Sequence, residues 1–294
     1  MKTVIFLNSI ATSKSKVLTS FGAGVNKAGD FVLYNVGDKY FECDVAVMLG
    51  TVSGRADDRC NIIREEIIAC HKGRTIHIDG HVLKNWLKDR YYRVSLDSVY
   101  YSQANYIPSN GRTKRREVLE RKHPQIKLHP WRDDGGHILM LMQRETGWML
   151  DGKSSNEWLL ESIEAIRMVS QRKIVVRPHP ANPEVPKCMK NYDNPEMIEM
   201  SREKNLLKDL QGAWAAVTHN SSAILEPIIL GVPSFCTSDD CLGSPVSHKD
   251  LTHIEKCHDN FLRREDWAND LAYAVWNTDE MASGKLWTEL KELI

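Results

Sequence analysis

Short apolar runs recur along the chain, each stopped abruptly by polar residues or glycine. In the first half they are Val4 to Leu7, Phe31 to Tyr34 and Val45 to Leu49. Runs that are apolar at every position, rather than at alternate ones, suit strands buried on both faces of a parallel sheet. The segments between them have helical spacing. A helix is expected around Ser15 to Ala28, and another over Asp57 to Cys70, where Ile62, Ile63, Ile67 and Ile68 lie near a 3.6-residue period and Lys72-Gly73 ends the pattern. Thr75 to Ile78 then predicts a short strand stopped by Asp79-Gly80-His81, and Tyr91 to Val99 a further one, with Tyr100, Tyr101 and Tyr106 close behind.

The second half repeats the rhythm. His137 to Met142 is an apolar run ending in Gln143, and Ser154-Ser155-Asn156-Glu157 has the form of a capped entry to a helix reaching about Ser170. The packed face of that helix is expected to carry Trp158, Leu159, Ile163, Ile166 and Met168. A strand over Lys173 to Val176, a short strand near Met197, a helix near Asn205 to Leu210, a strand ending in Val217, a helix over Ala223 to Leu230 closed by Gly231, and a strand after Val232-Pro233 complete an alternating order. Helices over Asp266 to Trp276 and Asp279 to Leu293 close the chain. Strands alternating with helices in this way predict doubly wound α/β domains. Pro124, Pro130 and Asp133-Asp134-Gly135-Gly136 break the pattern between the halves. The expected organisation is therefore residues 1–134 as one Rossmann-like domain and 135–275 as a second facing it across a cleft, with 276–294 a helix packing back towards the first.

Composition narrows the partners. Lys plus Arg equals Asp plus Glu, 39 each, so the chain as a whole is not a polycation built to coat nucleic acid. One local exception is 112–132, where eight basic residues face only Glu117 and Glu120. This segment, led by Arg112, Lys114, Arg115 and Arg116, reads either as a surface for a polyanionic acceptor or as a solvated linker or helix face. Seven cysteines, an odd set without a C-x-x-C pair, suit a reducing cytoplasm rather than a disulfide framework or zinc knuckle. No apolar run has the length of a membrane span. Gly22, Gly24 and Gly29 do not form a dinucleotide fingerprint, because Lys27 stands where its third glycine belongs.

Candidate chemistry gathers at the ends of the runs, where strands deliver side chains to a sheet edge. Thr218-His219-Asn220-Ser221-Ser222 follows one strand and opens a helix, an arrangement whose free N–H groups and helix dipole suit an anion; the same residues also serve as an ordinary helix cap. Arg177-Pro178-His179-Pro180 brings a cation and an imidazole to a similar edge. Asp79 and His81 flank Gly80 just past a predicted strand, a place for a general base or for an Asp-Gly turn.

Together, the strand ending in Gln143, the R-P-H-P at Arg177 to Pro180, and T-H-N-S-S-A-x-x-E-x-x-x-x-G-V-P from Thr218 to Pro233 resemble the capsular polysaccharide biosynthesis glycosyltransferases, including bacterial β-Kdo transferases. CDP-glycerol glycerophosphotransferases are more distantly similar. The closing Leu271-Ala272-Tyr273, Trp276, Glu280, Gly284 and Trp287 resemble the tails of phage and bacterial members. The likeness spans roughly 137 to 290, and the first half is matched mainly by Asp79-Gly80 and the tyrosine-rich strand. It implies a GT-B fold and an inverting sugar transfer from a nucleotide-linked donor, UDP- or CMP-activated. His179, with Arg177 nearby, and Ser221 and Ser222 would meet the donor phosphate, Glu226 the ribose, and Asp79 would act as base; Gln143, Thr218 and Asn220 complete the donor side. The chain has no D-x-D motif, so neither a metal nor a cofactor beyond the nucleotide sugar is expected. The acceptor is either a surface glycan or a hydroxymethylated base in phage DNA. A nucleotide-sugar epimerase and a non-catalytic nucleotide-sugar or polyanion-binding protein are the competing classes.

Overall fold

A computed structural model describes residues 1–10, 15–53, 58–84, 86–87, 90–144, 150, 152–180, 182, 197–257 and 263–294. The chain forms two compact units, Met1–Arg121 with Ala268–Ile294, and Lys122–Trp267.

The first unit is built on a six-stranded sheet. Its strands are β1 (Thr3–Phe6), β2 (Val32–Asn35), β3 (Val45–Leu49), β4 (Arg74–Val82), β5 (Tyr91–Leu96) and β11 (Val275–Asn277), in the order β11-β5-β4-β3-β1-β2. The four strands β1 to β4 run parallel, and β5 and then β11 add antiparallel pairings. Alternation assigns the faces. Ile5, Val45, Val47, Ile76, Ile78 and Val94 point to a core shared with Leu18 and Phe21 of α1 (Ser15–Lys27) and with Trp276 and Trp287. Val4, Phe6, Ala46 and Met48 pack on the other side against Ile63 and Ile67 of α2 (Cys60–Cys70). Four isoleucines were expected on the packed face of α2, but Ile62 and Ile68 are 52% and 55% exposed. An i, i+4 pair covers one narrow stripe, and its flanking positions turn about 100° away to water.

Two further expectations change. Asp79-Gly80-His81 is not a turn: β4 continues through it, with a bulge between Asp79, opposite Arg93, and His81, opposite Tyr92. The helix expected to reach Trp276 ends as α7 (Glu265–Ala274), and 275–277 form β11 beside β5. The chain then turns into α8 (Thr278–Ala282) and α9 (Lys285–Lys291), divided by Gly284 at φ +87°. α8 lies so close to α1 that a Cβ on Gly24 would stand 1.9 Å from the Met281 carbonyl oxygen.

One arginine ties this C-terminal return to the rest of the unit. Arg115, on α3 (Lys114–Lys122), donates from Nε to the Ala272 carbonyl (2.6 Å) and from Nη2 to the Val275 carbonyl (2.7 Å). It also makes a two-pronged pair with Glu280 at 3.0 and 3.1 Å and lies 3.5 Å from the centroid of the Trp276 ring.

The second unit carries five parallel strands, β6 (His137–Leu141), β7 (Lys173–Arg177), β8 (Ile198–Met200), β9 (Ala213–Thr218) and β10 (Ser234–Cys236), in the order β10-β9-β6-β7-β8. α4 (Ser155–Arg167) buries Trp158, Leu159, Ile163 and Ile166; Met168 lies beyond its end and is 74% exposed, so it is not part of the packed face. The expected N-terminal signal is present as a complete capping box. Ser154 Oγ accepts from Glu157 N–H, and Ser154 N–H donates to the Glu157 carboxylate at 2.7 Å. Ser154→Ala is expected to destabilise the protein by about 1 kcal/mol, read as a shift in the urea unfolding midpoint at constant m-value.

Residues 122–134, placed with the first domain in the sequence reading, lie with the second unit. His129 N–H bonds the Ile229 carbonyl, Arg132 N–H bonds the Gly231 carbonyl, and the Arg132 guanidinium holds the carbonyls of Leu210 and Ala213. Gly231, at φ +77°, admits this crossing, since a Cβ there would lie 1.9 Å from the Pro130 carbonyl oxygen. Among the described residues no helix is long and apolar enough to cross a membrane.

Candidate functional site

The order β10-β9-β6-β7-β8 sets where a ligand can enter the second unit. From β6 the chain winds outward through β7 to β8, then returns to the other side of β6 as β9. The connections after β6 and after β9 therefore leave in opposite senses, and the carboxyl edge at such a switch point is where open α/β sheets place their ligands. Gln143 lies just past β6 and Asn220 just past β9, and the two close a reciprocal pair. Gln143 Nε2–H donates to Asn220 Oδ1 (2.6 Å), and Asn220 N–H donates to Gln143 Oε1 (2.7 Å). Thr218 ties the same strands, its hydroxyl donating to the Leu141 carbonyl (2.9 Å) and accepting from Ser221 N–H (3.3 Å).

This pairing revises one expectation. The turn was read as offering free backbone N–H groups, yet those of Asn220, Ser221, Ala223 and Ile224 all have partners within the turn or on Gln143. The helix is also short, a 3-10 turn over Ser222–Ile224 followed by α6 (Leu225–Ile229). Ser222 is exposed at its start, Asn220 and Ser221 are half-buried, and Glu226 is buried in its first turn. On the neighbouring strand, Arg177 turns aside. It pairs with buried Asp209 and donates to the carbonyls of Glu203 and Lys204, while Ser201 holds the other side of Asp209. Its guanidinium is committed to joining the end of β7 to the segment around α5 (Leu206–Asp209). His179, two residues further on, stays half-buried at the sheet edge.

In the first unit, Asp79 pairs with Arg93 across β4 and β5. Burial raises the Asp79 pKa, but the Arg93 charge and a bond from Gly80 N–H outweigh it and hold the carboxyl below the usual aspartate value. The Asp79 side chain keeps 36% of its surface exposed, and the Arg93 pair orients its carboxylate. His77, two positions earlier on the same face, bonds the Gly50 carbonyl through Nδ1 (3.0 Å) and Thr75 through Nε2 (3.1 Å). Burial pushes its pKa down, so it stays neutral. His81 follows the bulge opposite Tyr92.

No protein-family model matches the chain, and no curated protein matches it in sequence. Solved structures do. The β-Kdo 2,7 transferase of Thermosulfurimonas dismutans KpsC aligns with a TM-score of 0.57 and 13% identity, over 98% of this chain and 100% of that one. The β-Kdo 2,4 transferase of the same KpsC aligns at 0.55 and 12%, over 96% and 98%. The chain has a GT-B-like fold. At this identity the likeness is one of fold, so the roles of individual residues rest on the geometry.

Within this GT-B-like fold the second unit contains a cavity that the sequence reading did not anticipate. It measures about 240 Å³ and sits where the ends of β9 and β10 meet α4, with His219, Thr237, Trp158 and Ser162 in its lining. Trp158 Nε1–H donates to Thr237 Oγ1 (3.0 Å), which contacts His219 Nδ1 at 2.8 Å. The signal was available in position alone, because His219 and Thr237 each stand one residue beyond a strand, where a GT-B-like sheet presents its ligand-facing side chains.

The basic segment is largely engaged with its own unit. Besides Arg115, Arg112 pairs with Glu289 at 3.0 Å and lies over Tyr273, and Arg116 pairs with Glu120 at 2.7 Å; Lys114 is exposed at the start of α3. Among the described residues no group of three His, Cys, Asp or Glu side chains converges as a metal site.

Proposed function

We propose that this protein transfers a sugar from a nucleotide-activated donor, UDP- or CMP-linked, to an acceptor hydroxyl, with inversion and without a metal. The observation that carries the reading is the switch-point edge of the second sheet, where the Gln143–Asn220 pair fixes a serine-bearing turn within a GT-B-like fold. Ser221, Ser222 and His179 receive the donor phosphate, Glu226 the ribose, and Thr218 and Gln143 hold the turn in shape. Arg177 acts indirectly, as a brace for the end of β7. The acceptor oxygen attacks the anomeric carbon, the bond from that carbon to the phosphate oxygen breaks with its electron pair going to the nucleotide, and Asp79 takes the acceptor proton. Hydrogen-bond donors fixed where the nucleotide's negative charge grows would stabilise the transition state.

For the acceptor we favour a saccharide hydroxyl. Gripping DNA needs several cations free to replace counterions, and Arg112, Arg115 and Arg116 already face carboxylates of their own unit. Salt-sensitive binding to duplex DNA would reverse this choice.

A thermal-shift screen of nucleotides and nucleotide sugars tests the donor reading. A ligand at a hundred times its Kd adds about 2.7 kcal/mol to stability, a shift that His179→Ala should shrink. If neither UDP, CMP nor any of their conjugates raises the Tm, the donor assignment fails; conversion of a donor to its epimer with no acceptor present would reassign the reaction.

A further inference from the structure

We infer that β2 is the contact edge of a dimer, in which two copies of this chain join their first sheets through antiparallel β2 strands about a two-fold axis.

The two sheets end in four edge strands, and three of these are guarded. β8 is three residues long, with Glu199 at its centre paired to Lys173. β10 is covered by His248, whose carbonyl accepts from Cys236 N–H at 2.9 Å and whose N–H donates to the Ser234 carbonyl at 2.8 Å. β11 is again three residues long, and Arg115 holds its Val275 carbonyl. Short length, charge and cover are the usual means of keeping an edge from pairing with another chain.

β2 has none of them. With its flanking residues it reads Phe31-Val32-Leu33-Tyr34-Asn35-Val36, without a charge, a proline or a glycine, and it pairs with β1 without a bulge. No backbone bond joins its outer side to a described residue. The nearest acid is turned inward, since Asp30 accepts from Trp287 Nε1–H at 2.8 Å and from Lys291 at 2.6 Å.

The side chains along this edge are unusually open. Phe31 is 69% exposed, Val36 71%, Tyr34 41% and Phe41 47%. An aromatic side chain buries roughly 150–250 Å² when fully covered, so the three rings leave on the order of 300 Å² open in each copy. Val36 and the strand backbone bring this towards about 600 Å² per partner, the lower range of specific interfaces. The dimer is therefore expected to form at micromolar concentration.

A second copy is the occupant that fits. N–H and C=O groups alternate in the same way along both strands, so an antiparallel two-fold pairing satisfies the outward groups of each with those of the other. An edge without charge also sets no like charges against each other when it meets itself. The assembly stops at two, because pairing consumes β2 of each copy and the remaining edges are guarded.

Sedimentation velocity on the full chain tests this, under reducing conditions that keep the exposed Cys70 from cross-linking. A reversible monomer–dimer equilibrium should appear across the micromolar range, and amide hydrogen exchange of a peptide spanning 31–36 should slow as the concentration rises. Val36→Lys should weaken the dimer about tenfold or more, because the two-fold axis enters each charge twice, with the Tm unchanged. Phe31→Ser, which removes apolar area without adding charge, should act in the same direction. The inference is overturned if the chain stays monomeric throughout that range, if it assembles without limit, or if a dimer survives both substitutions while 31–36 exchanges at the monomer's rate, which would place the contact elsewhere.

Discussion

Asp79→Asn is expected to lower sugar transfer by about a hundred- to ten-thousand-fold, the usual weight of a positioned acid or base. Donor affinity should stay within about twofold, because a group that acts only on the acceptor proton contributes to the transition state and not to the donor complex. The amide keeps the shape of the carboxylate and can still accept a bond from Arg93, so loss of activity with an unchanged unfolding curve would separate the chemical role from a structural one. Turnover close to wild type would remove Asp79 as the base and turn attention to His81. The pH dependence gives a second reading of the same site. Because the folded-state pKa of Asp79 is depressed, the pair with Arg93 contributes stability above the ordinary aspartate pKa and loses it as the pH falls through the lowered value. Arg93→Gln removes the main opposing charge and leaves burial to dominate, so the acid limb of the rate profile should move to higher pH.

Arg115→Ala is expected to cost about 2–3 kcal/mol, between the weight of an exposed ion pair and that of a fully buried one broken from one side. The side chains of Arg115 and Glu280 are only 12% and 21% exposed, and the substitution leaves the Glu280 carboxylate with the Asn277 N–H of its capping box in place of a cation and the carbonyls of Ala272 and Val275 without this donor. It also removes the cation from the Trp276 ring. Arg115→Lys should recover little of the loss, since a single ammonium cannot reproduce the planar fork that reaches two carbonyls and a carboxylate together. Urea unfolding followed by tryptophan fluorescence measures both; a loss under 1 kcal/mol would mean that the pairings stabilise no more than a solvated surface pair does.

Arg115 also shows why part of the molecule was legible in the sequence and part was not. The parallel strands were readable because burial on both faces leaves continuous apolar runs, as in Val45–Leu49 and Ala213–Thr218. The Ser154–Glu157 cap was readable because it is local, every partner lying within one turn. Arg112 and Arg115 were opaque for the opposite reason. Their carboxylates, Glu280 and Glu289, come from more than 160 residues away, so a segment that looks like free positive charge is a set of half-written ion pairs. β11 was hidden by length: three residues cannot establish a two-residue period, and Trp267, Leu271 and Ala274 impose a helical one that runs on into Trp276. Asp79-Gly80 was hidden by the frequency of Asp-Gly turns, which the pairing partner Arg93 overrides here. At the candidate site the serine turn and Asp79 stand out in sequence, whereas the Gln143–Asn220 pair and the His219–Thr237–Trp158 contacts exist only once strands far apart in the chain lie side by side.

The return of β11 to the first sheet also fixes the order in which the protein can be finished during synthesis. The second unit is continuous from Lys122 to Trp267 and can close as soon as that stretch has left the ribosome. The first unit begins earlier but ends later. Until residues 275–277 are made, the outer edge of β5 lacks its neighbour, and Tyr92 and Val94 lack Trp276 and Trp287 in their shared core. The half of the protein synthesised first is thus the last to reach its native state, and throughout that interval it carries an open strand edge of the kind that invites pairing with other chains.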